Sequence, residues 1–337
     1  MKRQCNYFLI LSMSVLLNAC SLAYKSTGDV LIGYAEDQGV SYILATDDVG
    51  LGCSMVEAFS PFLLSFSSVT TPPDQLAILF YLLAGNCVEF DAWEEELRYL
   101  RAIHAKNPIE AKDARIAQQR LLVQAARRQL NGYHYLALAI AEPGAECPVF
   151  SSENDELYWL IGLLDGVQAV MNDIAAGGSV EVPMDIASKV GRGAACLENE
   201  KWWGTPDAIR AAIWMTIPGN QPVDRDSEQV LANSLKIGLQ KGISLPHVLA
   251  AQVYLGQGEI EKVKKVIRSH YSEMTMNTIV NQKFKILNEV SNLQIQAISD
   301  RLWTEATGAR TPIGKIGYFW NDSEKAVETI DIDEILQ

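Results

Sequence analysis

The sequence predicts an all-α fold, an array of antiparallel helical hairpins wound as a degenerate tetratricopeptide-like superhelix. Apolar residues recur at spacings of three and four through most of the chain. Pro, Gly and Asn punctuate them at helix-length intervals, as at Asn107-Pro108, Gly177-Gly178 and Pro218-Gly219. No alternating run bounded by turns is long enough for a sheet.

The chain opens on Lys2 and Arg3, then an apolar run from Tyr7 to Leu17, then Asn18-Ala19-Cys20. A short basic stretch, an apolar run too brief to span a bilayer and a small residue before Cys form a lipoprotein signal. Residues 1–19 are therefore expected to be a signal peptide, with acyl chains such as palmitate on Cys20. Ser21, not Asp, follows that Cys, which points to the periplasmic side of an outer membrane. Residues 20–44 read as a tether, 45–306 as the helical-hairpin domain and 307–337 as an irregular tail with an acidic end at Asp331, Asp333 and Glu334.

Within the domain, Met55, Phe59, Phe62, Leu63 and Phe66 make an amphipathic stripe, ended by Pro72-Pro73. A long helix runs from Gln75 to about His104, with Asp74 as a capping residue. Asn107-Pro108 starts the next, with Asn as cap and Pro at the first position. Asn131-Gly132 offers it a stop or a kink. The segment from about Asn154 to Ala175 is apolar on most sides and is expected to be the most buried. Helices follow over 183–197, from Thr205 to a stop at Pro218-Gly219, and over 227–241, 246–255, 259–270 and 276–306. Tyr254, Gly258 and Val263 fall where a tetratricopeptide repeat places its Tyr, its turn residue and its Ala.

Net charge is −13, which argues against nucleic acid and against a surface lying flat on anionic headgroups. Four thiols remain once Cys5 is cleaved off and Cys20 acylated: Cys53, Cys87, Cys147 and Cys196. An exported chain forms disulfides from such a set, and four thiols allow three pairings. Cys53–Cys87 and Cys147–Cys196 are preferred, because each joins segments one helix or one hairpin apart; buried free thiols are the alternative.

Signatures of catalysis are missing from the sequence. The four His (104, 134, 247 and 270) make no H-E-x-x-H and no metal-ligand spacing, and no nucleophile elbow, P-loop or dinucleotide fingerprint occurs. No metal, no cofactor and no catalytic residue is expected. A cell-wall hydrolase or lyase would need a buried Glu beside a groove, for which Glu57 and Glu89, each interrupting an apolar stretch, are the candidates. The better signal is a polar stripe, Asp165, Gln168 and Asn172, inside the most apolar helix. Such a stripe faces solvent, a cavity or polar partners. Read as a ligand or partner site, it would take apolar surface from Trp159, Trp202, Trp203 and Trp214, with one of Trp202 and Trp203 turned outward into a groove.

The signal ending at Cys20, the helical hairpins, Tyr158-Trp159-Leu160-Ile161-Gly162, Ala211-Ala212-Ile213-Trp214 running to Ile217-Pro218-Gly219, and the repeat around Tyr254 and Gly258 together resemble the T components of TRAP-type transporter systems. That resemblance implies a non-enzymatic accessory lipoprotein, associated with a periplasmic solute-binding protein, able to form trimers and carrying an apolar channel for a hydrophobic ligand. The expected function is therefore to bind a hydrophobic or organic-acid ligand, its periplasmic carrier, or both. A scaffold lipoprotein of the outer membrane is the second reading and the cell-wall enzyme the third. A cavity separates carrier from scaffold; a buried Glu in a cleft with a second polar group marks the enzyme.

Overall fold

The computed structural model describes residues 22–217, 219–276 and 281–322. The signal peptide, Cys20 and the acidic end at 331–334 lie outside the described residues. Among those described there are eleven helices and no strand, so the expected all-α array is what forms.

Residues 22–45, expected as a tether, form helix α1, with a π-helical turn at Ala35–Gly39. Its final turns bury Val40, Ile43 and Leu44, and this burial makes the segment part of the domain. Helix α2 (Val49–Ser65) starts at Asp48, whose carboxylate accepts from the Leu51 amide at 2.9 Å. Its buried face is Val49, Gly52, Val56, Ser60 and Leu63. Phe59 and Phe62, expected on the inner stripe, stay nearly half exposed and stack edge-on with each other. The three-and-four spacing is satisfied by two faces of this helix, and the smaller side chains fit against the neighbours.

Helices α3 (Asp74–His104) and α4 (Pro108–Ala139) form a long hairpin. Asn107 caps α4 through the Glu110 amide at 3.2 Å, as its sequence predicts. Asp74 opens α3 without a capping hydrogen bond. Gly132 neither stops nor kinks α4, which runs unbroken to Ala139. Helix α5 (Glu153–Ala175) begins with a capping box between Ser152 and Asp155. There follow α6 (Asp185–Ala194), α7 (Thr205–Thr216), α8 (Ser227–Lys241), α9 (Leu245–Gly256), α10 (Ile260–Met276) and α11 (Lys285–Thr307). The repeat-like window is indeed a hairpin: Gly258, at φ +74°, turns α9 into α10, and Val263 and Ile267 are buried.

The array curves until α11 packs back on α3 and α9. One apolar cluster runs from Ile32 to Phe319. Disulfides join Cys53 to Cys87, tying α2 to α3, and Cys147 to Cys196, tying the α4–α5 loop to the end of α6. The described segment from Gly308 to Asp322 is irregular, as expected, but pinned. Arg310 pairs with Glu94, Trp303 Nε1 donates to the Tyr318 carbonyl at 3.1 Å, and the Thr311 amide donates to Asp300 at 3.1 Å.

Candidate functional site

The closing of α11 onto α3 leaves a cavity of about 470 Å³ bounded by α3, α5, α9 and α11, with α4 at its mouth. Inward it meets an apolar recess of about 40 Å³, walled by Leu79, Leu83, Leu164, Val248 and Val290. Gln168, Gln252 and Gln294, from α5, α9 and α11, line both spaces. Three amides thus mark the border between a dry floor and a polar chamber.

The chamber wall is a hydrogen-bonded network. Gln129 of α4, fully buried, donates Nε2 to Gln168 Oε1 at 3.1 Å and accepts from Asn172 Nδ2 at 2.8 Å. Gly85 of α3 lets Gln129 approach: a Cβ there would lie 2.6 Å from its Cγ. Beside this network sits Glu89. Burial pushes its carboxyl up to about 7, against the opposing pull of Asn172 and Gln129, and its Oε2 has no partner. Nearer the mouth, Glu96 faces Arg301 at 3.3 Å, and Arg115 donates to Gln118 at 2.7 Å. The chamber therefore carries two carboxyls and two guanidinium groups among many amides.

The polar stripe of α5 is divided by the fold. Gln168 and Asn172 reach the chamber. Asp165 does not. It is fully buried one turn earlier, against Gly132, where a Cβ would come within 2.3 Å of its Oδ2. Neither carboxyl oxygen has a partner, and burial holds the carboxyl well above the usual range. Gly132, which reads as a breaker in sequence, is the residue that makes room for Asp165.

The four Trp lie elsewhere than the chamber wall. Trp159 is buried and donates to the Gly193 carbonyl at 2.9 Å. Trp202 and Trp203 both point inward, contrary to the expectation that one would turn out. Trp203 adopts φ +60°, and this backbone reversal lets the two indoles pack edge-on at 5.3 Å. Trp202 donates to Glu156 at 2.7 Å, and Trp203 packs on Phe284. Trp214 is half-buried beneath the Arg210 guanidinium. These rings anchor elements; the aromatic ring on the cavity is Trp93 of α3.

Glu57 is held at the surface by Arg128 at 2.6 Å, whereas Glu89 meets the requirement of a buried Glu in a cleft. Sequence reasoning missed Asn86, Gln129, Gln252 and Gln294. Asn86 had a readable signal, a lone amide within Leu82-Leu83-Ala84-Gly85-Asn86-Cys87-Val88. Gln252 and Gln294 had none, since single Gln residues in amphipathic helices usually face water. A second buried polar group, His247 beside His270 at 5.8 Å between ring centres, lies between α9 and α10. Burial lowers these imidazoles to about 3 and about 4. Among the described residues no group of three or more His, Cys, Asp or Glu is placed to hold a metal.

Comparison with protein-family models, with curated proteins and with solved structures finds no match to this chain.

Proposed function

We propose that this chain is a non-enzymatic envelope lipoprotein, anchored through Cys20, that binds an organic ligand between α3, α5, α9 and α11. In this reading it serves as the accessory component of a TRAP-type transport system and docks a periplasmic solute-binding protein. The observation that carries ligand binding is the cavity itself. A polar chamber of about 470 Å³ leading to an apolar recess suits a small molecule with one polar and one apolar end. The two disulfides suit the oxidising compartment this requires.

Thermal-shift screening of the soluble domain against organic acids and apolar ligands tests the binding. A rise in Tm is expected for the wild-type chain and not for Gln252→Trp, which fills the chamber. No shift from any compound removes the binding reading. Labelling with a clickable fatty acid, with Cys20→Ala as control, tests the anchor. Capture of a solute-binding protein by the ligand-loaded chain tests the partner.

One observation favours a second reading. Glu89 and Glu96 share the cavity, seven residues and so about 10 Å apart along one helix. Glu89 is raised to about 7 and Glu96 is paired with Arg301. A proton-bearing and an ionised carboxyl in one cleft are the parts of a glycoside hydrolase. Release of soluble fragments from purified peptidoglycan by the wild type, abolished in Glu89→Gln, would establish it in place of the carrier.

A further inference from the structure

Four polar atoms without partners, each buried, belong to side chains that line this cavity or the recess beneath it. Two are acceptors on α3: Asn86 Oδ1 and Glu89 Oε2. Two are donors on α11: Gln294 Nε2 and Arg301 Nε. Asn86 and Glu89 are three residues apart and Gln294 and Arg301 seven, so each pair shares one face of its helix. The α3 side of the cavity thus carries the unpaired acceptors and the α11 side the unpaired donors. Asn86, Glu89 and Gln294 are each more than nine-tenths buried. Leaving such groups unpaired is costly, on the order of 1–3 kcal/mol each.

Resting on the carrier reading above, we propose that the cavity binds a small zwitterion of the α-amino acid class, ammonium toward Asn86 and Glu89, carboxylate toward Gln294 and Arg301, and a short aliphatic side chain in the recess. A purely apolar ligand would leave all four atoms unsatisfied. A simple carboxylic acid would satisfy only α11. An ammonium can donate to Asn86 and to an ionised Glu89, and a carboxylate can accept from both groups on α11. The recess, about 40 Å³ with Leu, Ile and Val on its walls, is small and mostly apolar, which favours a short aliphatic group over an indole.

The charged groups sharing the cavity with Glu89 are Glu96 on its own helix, Arg115 on α4 and Arg301 on α11; α5 and α9 offer amides. Arg301 is partnered by Glu96 and Arg115 donates to Gln118, leaving Glu89 the one carboxyl lining the chamber without an ion-pair partner. Its proton is then displaced when an ammonium arrives beside it.

Isothermal titration calorimetry of the soluble domain tests this with three probes: L-leucine, 4-methylpentanoate, which lacks the ammonium, and 3-methylbutylamine, which lacks the carboxylate. L-Leucine is expected to bind at least tenfold more tightly than either analogue. At neutral pH its binding should release protons, read from buffers of different ionisation enthalpy. Glu89→Gln should weaken L-leucine at least tenfold and leave 4-methylpentanoate within twofold, while Arg301→Gln should weaken both. Far-UV circular dichroism and Tm confirm that both variants fold. If 4-methylpentanoate matches L-leucine, or Glu89→Gln leaves L-leucine unchanged, the zwitterion inference fails while the organic-acid carrier stands. If all three probes fail to bind but the thermal-shift screen finds another ligand, the inference alone is overturned; if the screen is also empty, both fall.

Discussion

Glu89 and Asp165 are both buried carboxyls in the interior of apolar helices, yet the fold treats them oppositely. Glu89, on α3, opens on a cavity and stands beside Asn172 and Gln129. Asp165, on α5, is sealed against Gly132 with no partner for either oxygen. Burial raises both carboxyls. What separates them is access: a group that can meet a ligand has a use for its unpaired oxygen, and a group walled in by a neighbouring helix has only the cost. Burial and a raised carboxyl, taken alone, do not mark a site.

That contrast can be broken or sharpened by substitution. The largest effect lies outside both regions and calibrates them. Trp202→Ala empties a fully buried ring position and is expected to cost about 3–5 kcal/mol in chemical denaturation, with ligand affinity per folded molecule unchanged. A loss of affinity there would return the indole pair to the site.

Next comes Gly132→Val, which drives side-chain carbon into Asp165. A cost of about 1–3 kcal/mol is expected from overpacking. Adding Asp165→Asn to this variant should stabilise it no more than it stabilises the wild type, because the clash is steric. Full recovery would mean that charge, not space, governs this contact.

Asp165→Asn alone should stabilise the protein at neutral pH. The folded-state carboxyl titrates well above its ordinary 3.8, so its contribution is complete below that value and is lost as pH rises toward the folded value. Denaturation midpoints measured from pH 4 upward should fall less steeply in the variant. The buried imidazoles run the other way. With folded values of about 3 and about 4 against 6.5, stability falls as pH drops below 6.5, and His247→Phe should flatten that acid limb.

The smallest effect on stability at acid pH is expected from Glu89→Gln. The amide fits the same space beside the same network, so a change under about 1 kcal/mol is expected below pH 4.5, and above it the variant gains on the wild type as pH rises toward 7. A large loss would place Glu89 with Asp165, as a structural group.

Much of the frame was legible in the sequence because it rests on local rules. Asn107, read as a cap from the sequence, caps its helix through its own side chain, and Ser152 and Asp226 follow the same rule without having been read. The cystine pairing was legible for a related reason: helices adjacent in sequence are usually adjacent in space. The site was legible only in part. The stripe of Gln168 and Asn172 signalled polar contact, and Glu89 stood out in an apolar run. That Asp165 belongs to a different contact was hidden, since its spacing from Gln168 is as regular as that of Asn172.

By itself, then, the chain's sequence determined that the fold is helical and where most of its helices begin and end, which depends on residues within a turn or two of each other. Only the tertiary structure decided that Asn86 and Glu89 of α3 stand opposite Gln294 and Arg301 of α11, and that α1 joins the core instead of trailing from it. The physical reason is that cavities arise where several helices fail to meet, and that failure depends on crossing geometry and side-chain volume summed over distant segments, which no local pattern encodes.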